Sequence, residues 1–352
     1  APEFLLFGPG AERWAPEDSL AILKLIALQL ASHVDREVTR ARASLALPAA
    51  RVYDLLPDDP GAPRVDTPDY RALFPDLPSD PRQASPDAPP GLVDTPPASN
   101  AWAVAARRSR SGAPLLANDP HLDLTAPSIW YLARLGLRSG DVIGATIPGI
   151  PAVLTGRTAR TAWGVTAANV DDQDVVIERR DPADPSRVLT ADGPVPLRRA
   201  ETTIAVRGAG PVTRTLEWSP SGPVIPGRYH DLAAVTPPGH VAVIARTLFE
   251  SADTSFSAAL EVMQAPDIDA ILAAGERFVA PAVNLVVADR QRIALEVTGH
   301  VPRRHPDHPT RGRMPAPGWN HATRWQGVHP HATNPREIDP DCGFVANTNN
   351  RT

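Results

Sequence analysis

The sequence predicts an α+β fold in which antiparallel sheets are covered by a few helices. Three observations predict it. An amphipathic helical stretch lies near the start, short apolar runs separated by Gly and Pro turns dominate after residue 99, and one more helical stretch precedes two late strands. With 352 residues and 42% hydrophobic content, the chain is long enough to bury a sizeable core. A net charge of -5, without a Lys/Arg patch interleaved with aromatics, leaves no footprint for nucleic acid. The longest apolar stretch, Leu20 to Val34, contains Lys24 and falls short of the roughly 20 residues a membrane span needs. A single cysteine, Cys342, excludes an internal disulfide. Ala1 is not an initiator Met, so the chain reads as the interior of a longer protein and leaves any targeting signal undetermined.

Residues 14 to 46 read as helical. Pro16, Glu17 and Asp18 suit a first turn, Leu20, Leu23, Leu28 and Leu30 supply apolar positions, and Glu37, Arg40 and Arg42 fall on the polar side. From Leu55 to Pro97 the chain is dense in Pro and Asp and reads as an extended, poorly packed connector. Strands are expected at 101–106 and 115–117, the latter ending at Asn118-Asp119-Pro120-His121, and again at 141–147 and 161–166. The pattern continues through 202–206 and 240–244. Residues 254–274 then turn helical with a break at Pro266, and 281–289 and 293–297 read as a hairpin.

Several short motifs recur in a fixed order: Ser99-Asn100-x-Trp102, Asn118-Asp119-Pro120-His121-Leu122, Pro148-Gly149-x-Pro151, Trp163-Gly164-x-Thr166 and Asp171-Asp172-x-Asp174. They continue with Asn284 followed by Ala288-Asp289, Gly299-x-x-Pro302-x-Arg304, and Gly343-Phe344-Val345-Ala346-Asn347-Thr348-Asn349-Asn350. Each alone is weak, but in this order across residues 99 to 350 they resemble the penicillin acylase family of N-terminal nucleophile (Ntn) hydrolases. The resemblance implies a four-layer αββα sandwich of antiparallel sheets, incomplete in this chain. It divides the chain into residues 1–52, the helical end of a small (α) subunit; 53–98, a proline-rich spacer removed on maturation; and 99–352, the start of a large (β) catalytic subunit. It also implies a periplasmic or secreted enzyme, a heterodimer of its own two chains, acting on a small-molecule N-acyl amide with no nucleic-acid or membrane partner.

In that family the nucleophile is the first residue of Ser-Asn-x-Trp, which falls on Ser99. A serine hydroxyl needs an adjacent base. Cutting the bond between Ala98 and Ser99 would supply one, the α-amine of Ser99 itself, whose ordinary pKa of about 7.7 to 8.0 leaves part of it unprotonated near neutrality. The oxyanion donors carry over to the backbone N–H of Ala167 and the side-chain amide of Asn284. Asn284 stands out because it interrupts an apolar run. The resemblance places His121 beside the amine, acting through its backbone or its imidazole, or serving only as a turn residue. It places Arg304 behind Asn284 as its support.

The acidic cluster carries over to a calcium site formed by Asp171, the Gln173 carbonyl, Asp174 and Glu37, one ion per heterodimer, since calcium takes 6 to 8 oxygen ligands. No organic cofactor is implied. The histidines between His300 and His331 show no HExxH or paired Cys/His spacing, and there is no Walker loop, dinucleotide fingerprint or G-x-S-x-G elbow. Two rival readings stand beside a penicillin acylase. One is an acyl-homoserine lactone acylase on the same scaffold, toward which His121 leans; the other is a non-catalytic two-domain binding protein with a permanent Pro-rich tether.

Overall fold

The computed structural model describes residues 13–30, 33–57, 68–78, 98–122 and 125–350. It opens with helices α1 (Pro16–Leu30), α2 (Val34–Ala46) and α3 (Ala49–Leu55) and a single turn, α4 (Tyr70–Leu73). Strands β1 (Ser99–Val104), β2 (Leu115–Pro120), β3 (Tyr131–Leu137), β4 (Gly140–Thr146), β5 (Thr155–Arg157) and β6 (Ala162–Ala167) follow. Next come β7 (Gln173–Arg180), β8 (Arg187–Thr190), β9 (Gly193–Pro196), β10 (Arg198–Ile204), β11 (Val212–Ser219), β12 (Gly222–Ile225) and β13 (His240–Arg246). The chain then forms α5 (Ser255–Val262), α6 (Ile268–Gly275), β14 (Val283–Ala288), β15 (Ile293–Thr298), β16 (Ala316–Pro317), β17 (Arg336–Ile338) and β18 (Phe344–Asn347).

Among the described residues three sheets result: a three-stranded one in the order β18-β1-β2, a seven-stranded one in the order β17-β15-β14-β6-β5-β4-β3, and an eight-stranded one built around β13 and β7. Strand β14 shows how the first two are layered. Leu285 and Val287 join Met263, Ile268 and Ile271 of the α5–α6 region in one core, whereas Val286 and Ala288 meet Ala101 and Ala103 of β1 in another. Alternation along one strand therefore seals helices to one face and the small sheet to the other, which is why its run is apolar on both sides. The order of layers is α, β, β. The outer face of the small sheet leaves Trp102, Leu115 and Phe344 exposed.

Pro266 separates α5 from α6 as expected, and the Asp267 carboxylate caps α6 by accepting the Ala270 N–H at 2.9 Å. Other expectations need correction. The helical stretch 14–46 is two helices, and Leu20, placed in the core from its apolarity, is 48% exposed while Ser19, Leu23 and Ala27 take the buried stripe. Glu37 is buried, not on the polar side. Within the connector, residues 68–78 are well packed: Tyr70, Phe74 and Leu77 are buried against Val34, Val38 and Leu232. The Tyr70 hydroxyl donates to the Val235 carbonyl at 2.8 Å, and Phe74 meets the Trp319 ring edge-on. The rest of the connector, 58–67 and 79–97, lies outside the described residues.

Candidate active site

Ser99 begins β1 on its inner face, with Ala101 and Ala103, and is buried. Its Oγ accepts the backbone N–H of His121 at 3.2 Å, and the same N–H reaches the Ala98 carbonyl at 3.1 Å. The imidazole turns outward, with Nε2 2.8 Å from Asp119 Oδ2. His121 therefore touches the serine through its backbone. The Ser99 backbone nitrogen donates to Asn349 Oδ1.

Asn118 fixes where β1 stands relative to β6. Its Nδ2 donates to the carbonyls of Asn100 (2.9 Å) and Val165 (3.0 Å), and its Oδ1 accepts the Val165 N–H (3.1 Å). One side chain thus joins the two sheets at the level of Ser99. Across β6, the register pairs Ala167 with Val283 and Thr166 with Asn284. Asn284 is fully buried, and its Nδ2 contacts Thr166 Oγ1 (3.0 Å), the Ala167 carbonyl (3.1 Å) and Asn347 Oδ1 (3.1 Å), while its Oδ1 is buried without a hydrogen-bond partner among the described residues. Asn347 Oδ1 also accepts from Thr166 Oγ1 and from the Asn349 N–H, both at 2.8 Å. In this orientation the Nδ2 hydrogens are engaged by protein acceptors. Donation to an oxyanion would require the amide to turn over or to give up one of them.

Arg304 does not stand behind Asn284. Its Nε lies 3.0 Å from both Asp174 carboxylate oxygens, and its Nη2 reaches Asp171 Oδ1 (3.1 Å) and the Gln173 carbonyl (2.9 Å). The Glu37 carboxylate receives the Val175 N–H at 3.0 Å on one oxygen and 3.2 Å on the other. Burial, with Asp174 and Asp171 adding to it, pushes the Glu37 carboxyl well above its ordinary range. The four groups expected to bind calcium do converge, but the cation they enclose is a guanidinium. Gly312 completes the cradle, because at φ 74° a Cβ there would lie 2.4 Å from Arg304 Nε and 2.5 Å from Asp174 Oδ1. Among the described residues no group of three or more His, Cys, Asp or Glu side chains is arranged to hold a metal ion. The residues do not fit calcium in this arrangement, and the chemistry proposed for Ser99 uses none. Beside the cluster, Asp172 pairs with the buried Arg246 at 3.4 Å, yet burial outweighs that charge and raises its carboxyl to about 6.

Ser99 opens onto a cavity of about 130 Å³. Leu23, Ile26 and Leu30 of α1 form one wall, Trp130, Ile150 and Val262 contribute others, and among the described residues no charged side chain lines it. Ala167 and Thr166 border the cavity near the serine.

The family model described as penicillin amidase matches the chain from residue 1 to residue 352. The chain belongs to the penicillin amidase family. Within it, the chain is 28% identical over 360 residues to acyl-homoserine lactone acylase QuiP of Pseudomonas aeruginosa, covering 97% of this chain and 41% of that protein. It is 30% identical over 363 residues to penicillin acylase 2 proenzyme of Pseudomonas sp. strain SE83, covering 99% and 45%. Among solved structures, thermostable penicillin G acylase from Alcaligenes faecalis superposes with a TM-score of 0.64 at 25% identity, over 72% of this chain and 44% of that one. The fold is thus the Ntn-hydrolase fold that the motifs implied. The chain spans less than half the length of these relatives.

Three asparagines at the centre of the site, Asn118, Asn347 and Asn349, were visible as motif letters but not as contacts. A signal existed: Asn347 and Asn118 occupy inward positions of strands whose other inward residues are apolar, a pattern that needs polar partners across the gap.

Proposed function

We propose that the chain carries the nucleophile of an amidohydrolase that cleaves linear N-acyl amides with an apolar acyl group. One observation carries the reading: Ser99 stands where a cavity opens whose described lining is uncharged, with a backbone N–H already on its Oγ. Cleavage before Ser99 releases its α-amine. That amine, directly or through a water, accepts the hydroxyl proton as Oγ bonds to the amide carbonyl carbon, and the carbonyl π pair moves to oxygen. Ala167 N–H and a turned Asn284 amide hold the resulting oxyanion. The oxyanion collapses, the C–N bond breaks, and the amine product departs with the proton. Water then adds to the acyl-enzyme, returning the proton to Oγ and freeing the carboxylic acid.

The cavity favours an aliphatic acyl group over glutaryl, because a carboxylate buried among Leu23, Ile26 and Val262 would have no cationic partner among the described residues. With a QuiP acylase among the relatives, this favours acyl-homoserine lactones as substrates, and penicillin-type amides remain the second reading. A relative described as a proenzyme supports maturation into two chains that stay together as a heterodimer. Export to the periplasm or beyond is part of the same reading; among the described residues no helix is long and apolar enough to cross a membrane.

The test uses the full-length protein. Intact mass and N-terminal sequencing should find a chain starting at Ser99, and a Ser99→Ala variant should stay uncut. The mature enzyme should release homoserine lactone from decanoyl-homoserine lactone faster than it releases amine from a glutaryl amide. A permanently uncut chain, or glutaryl as the better substrate, would count against the proposal.

A further inference from the structure

We infer that Asn349 is a positioning residue for the Ser99 amine, an inference that rests on the acylase reading above. Asn349 has φ 63°, a left-handed backbone that Asn tolerates better than most residues. Three bonds hold it there: its N–H on Asn347 Oδ1 at 2.8 Å, its carbonyl on Asn169 Nδ2 at 3.1 Å, and its own Nδ2 on the Ala167 carbonyl at 2.8 Å. With the backbone and one end of the amide fixed, Oδ1 has a single orientation, toward Ser99 N.

In the uncut chain that nitrogen is an amide with one hydrogen. After the cut it is an amine, and Asn349 Oδ1 takes one of its N–H groups, which turns the lone pair away from Asn349 and toward Ser99 Oγ or a water bound there. The acceptor is neutral, which matters. A carboxylate in the same place would stabilise the protonated amine and remove the base at neutral pH. The Nδ2 bond to Ala167 ties the same residue to the strand end that bears the expected oxyanion donor. Asn349 therefore sets the distance between base and oxyanion site without touching the acyl cavity.

The experiment uses the mature full-length enzyme with decanoyl-homoserine lactone, followed by release of the amine. Asn349→Gly keeps the left-handed backbone and removes both side-chain bonds; kcat should fall by about 100-fold, since displacement of a reacting group by about 1 Å costs that much, with KM little changed. Asn349→Asp keeps the shape and an acceptor but adds charge, so the acid limb of the kcat profile should move up by about 1 pH unit or more. A purely structural role predicts loss of kcat with the acid limb unmoved, and that result overturns the assignment, as does wild-type kcat in N349G. If N349G folds but stays uncut, the assignment is supported, because Asn349 holds Ser99 N before the cut as well; the N349D limb then decides independently. Failure of the acylase reading shows separately, in the wild-type protein: no chain beginning at Ser99 and no amine released.

Discussion

Asn118 and Gly164 interlock: a Cβ on Gly164 would sit 2.6 Å from the Asn118 Cβ, so the glycine lets the asparagine lie flat against β6 and bond to both the N–H and the carbonyl of Val165. Gly164→Ala should therefore push β2, and β1 paired with it, away from β6. The expected cost is about 1–3 kcal/mol from overpacking, read as a lower urea midpoint, together with slower cutting before Ser99 in a time course of the two chains.

Arg304 fills the place expected for a metal. Chelator should leave the melting temperature of the protein unchanged. Arg304→Ala leaves Asp171 and Asp174 without their cation and should lose about 3–5 kcal/mol, part of which millimolar calcium should restore. Stabilisation of the wild-type protein by calcium would show instead that the guanidinium withdraws.

Tyr70, Phe74 and Leu77 sit inside the span expected to leave on maturation, yet they fill a core. Excising them would open a void as large as two aromatic rings. The mature small chain is expected to end beyond Pro78, not at residue 52, which its intact mass will read. Phe74→Ala should cost about 3–5 kcal/mol.

Asp172 gives a pH signature. Its folded pKa of about 6 exceeds the ordinary aspartate value of 3.8, so the folded state binds the extra proton and its ionisation destabilises the fold. That penalty is complete above about pH 6 and fades as the pH falls toward 3.8. The stability of wild type relative to Asp172→Asn should thus rise on acidification from pH 7 to pH 5, by roughly 1 kcal/mol. Urea titrations of both proteins at the two pH values would check the sign; a difference independent of pH would contradict it.

Much of the architecture was readable because its signals are local. The β14 run, the break at Pro266 and the turn-bounded strands each follow from residues within ten positions. The proposal of Ser99 as nucleophile rests on the order of motifs, not on any local signal. Two things were not: which way a polar side chain faces, and which cation an acidic cluster encloses. Both depend on contacts across more than 100 residues, as between Arg304 and Asp174 or Asn284 and Thr166. Helix α4 was missed for a related reason. Its Pro- and Asp-rich flanks look unstructured, whereas its order comes from the Val235 carbonyl and the Trp319 ring far along the chain.

The wall that α1 lends to the cavity has one more consequence. If the bond before Ser99 is cut, Leu23, Ile26 and Leu30 belong to one molecule and the nucleophile to another, so the acyl pocket becomes a seam. A bound acyl chain would then act as mortar between the two pieces and raise their resistance to separation. Any substitution in α1 that reshapes the pocket for a longer or shorter acyl group would also change how firmly the pieces hold together.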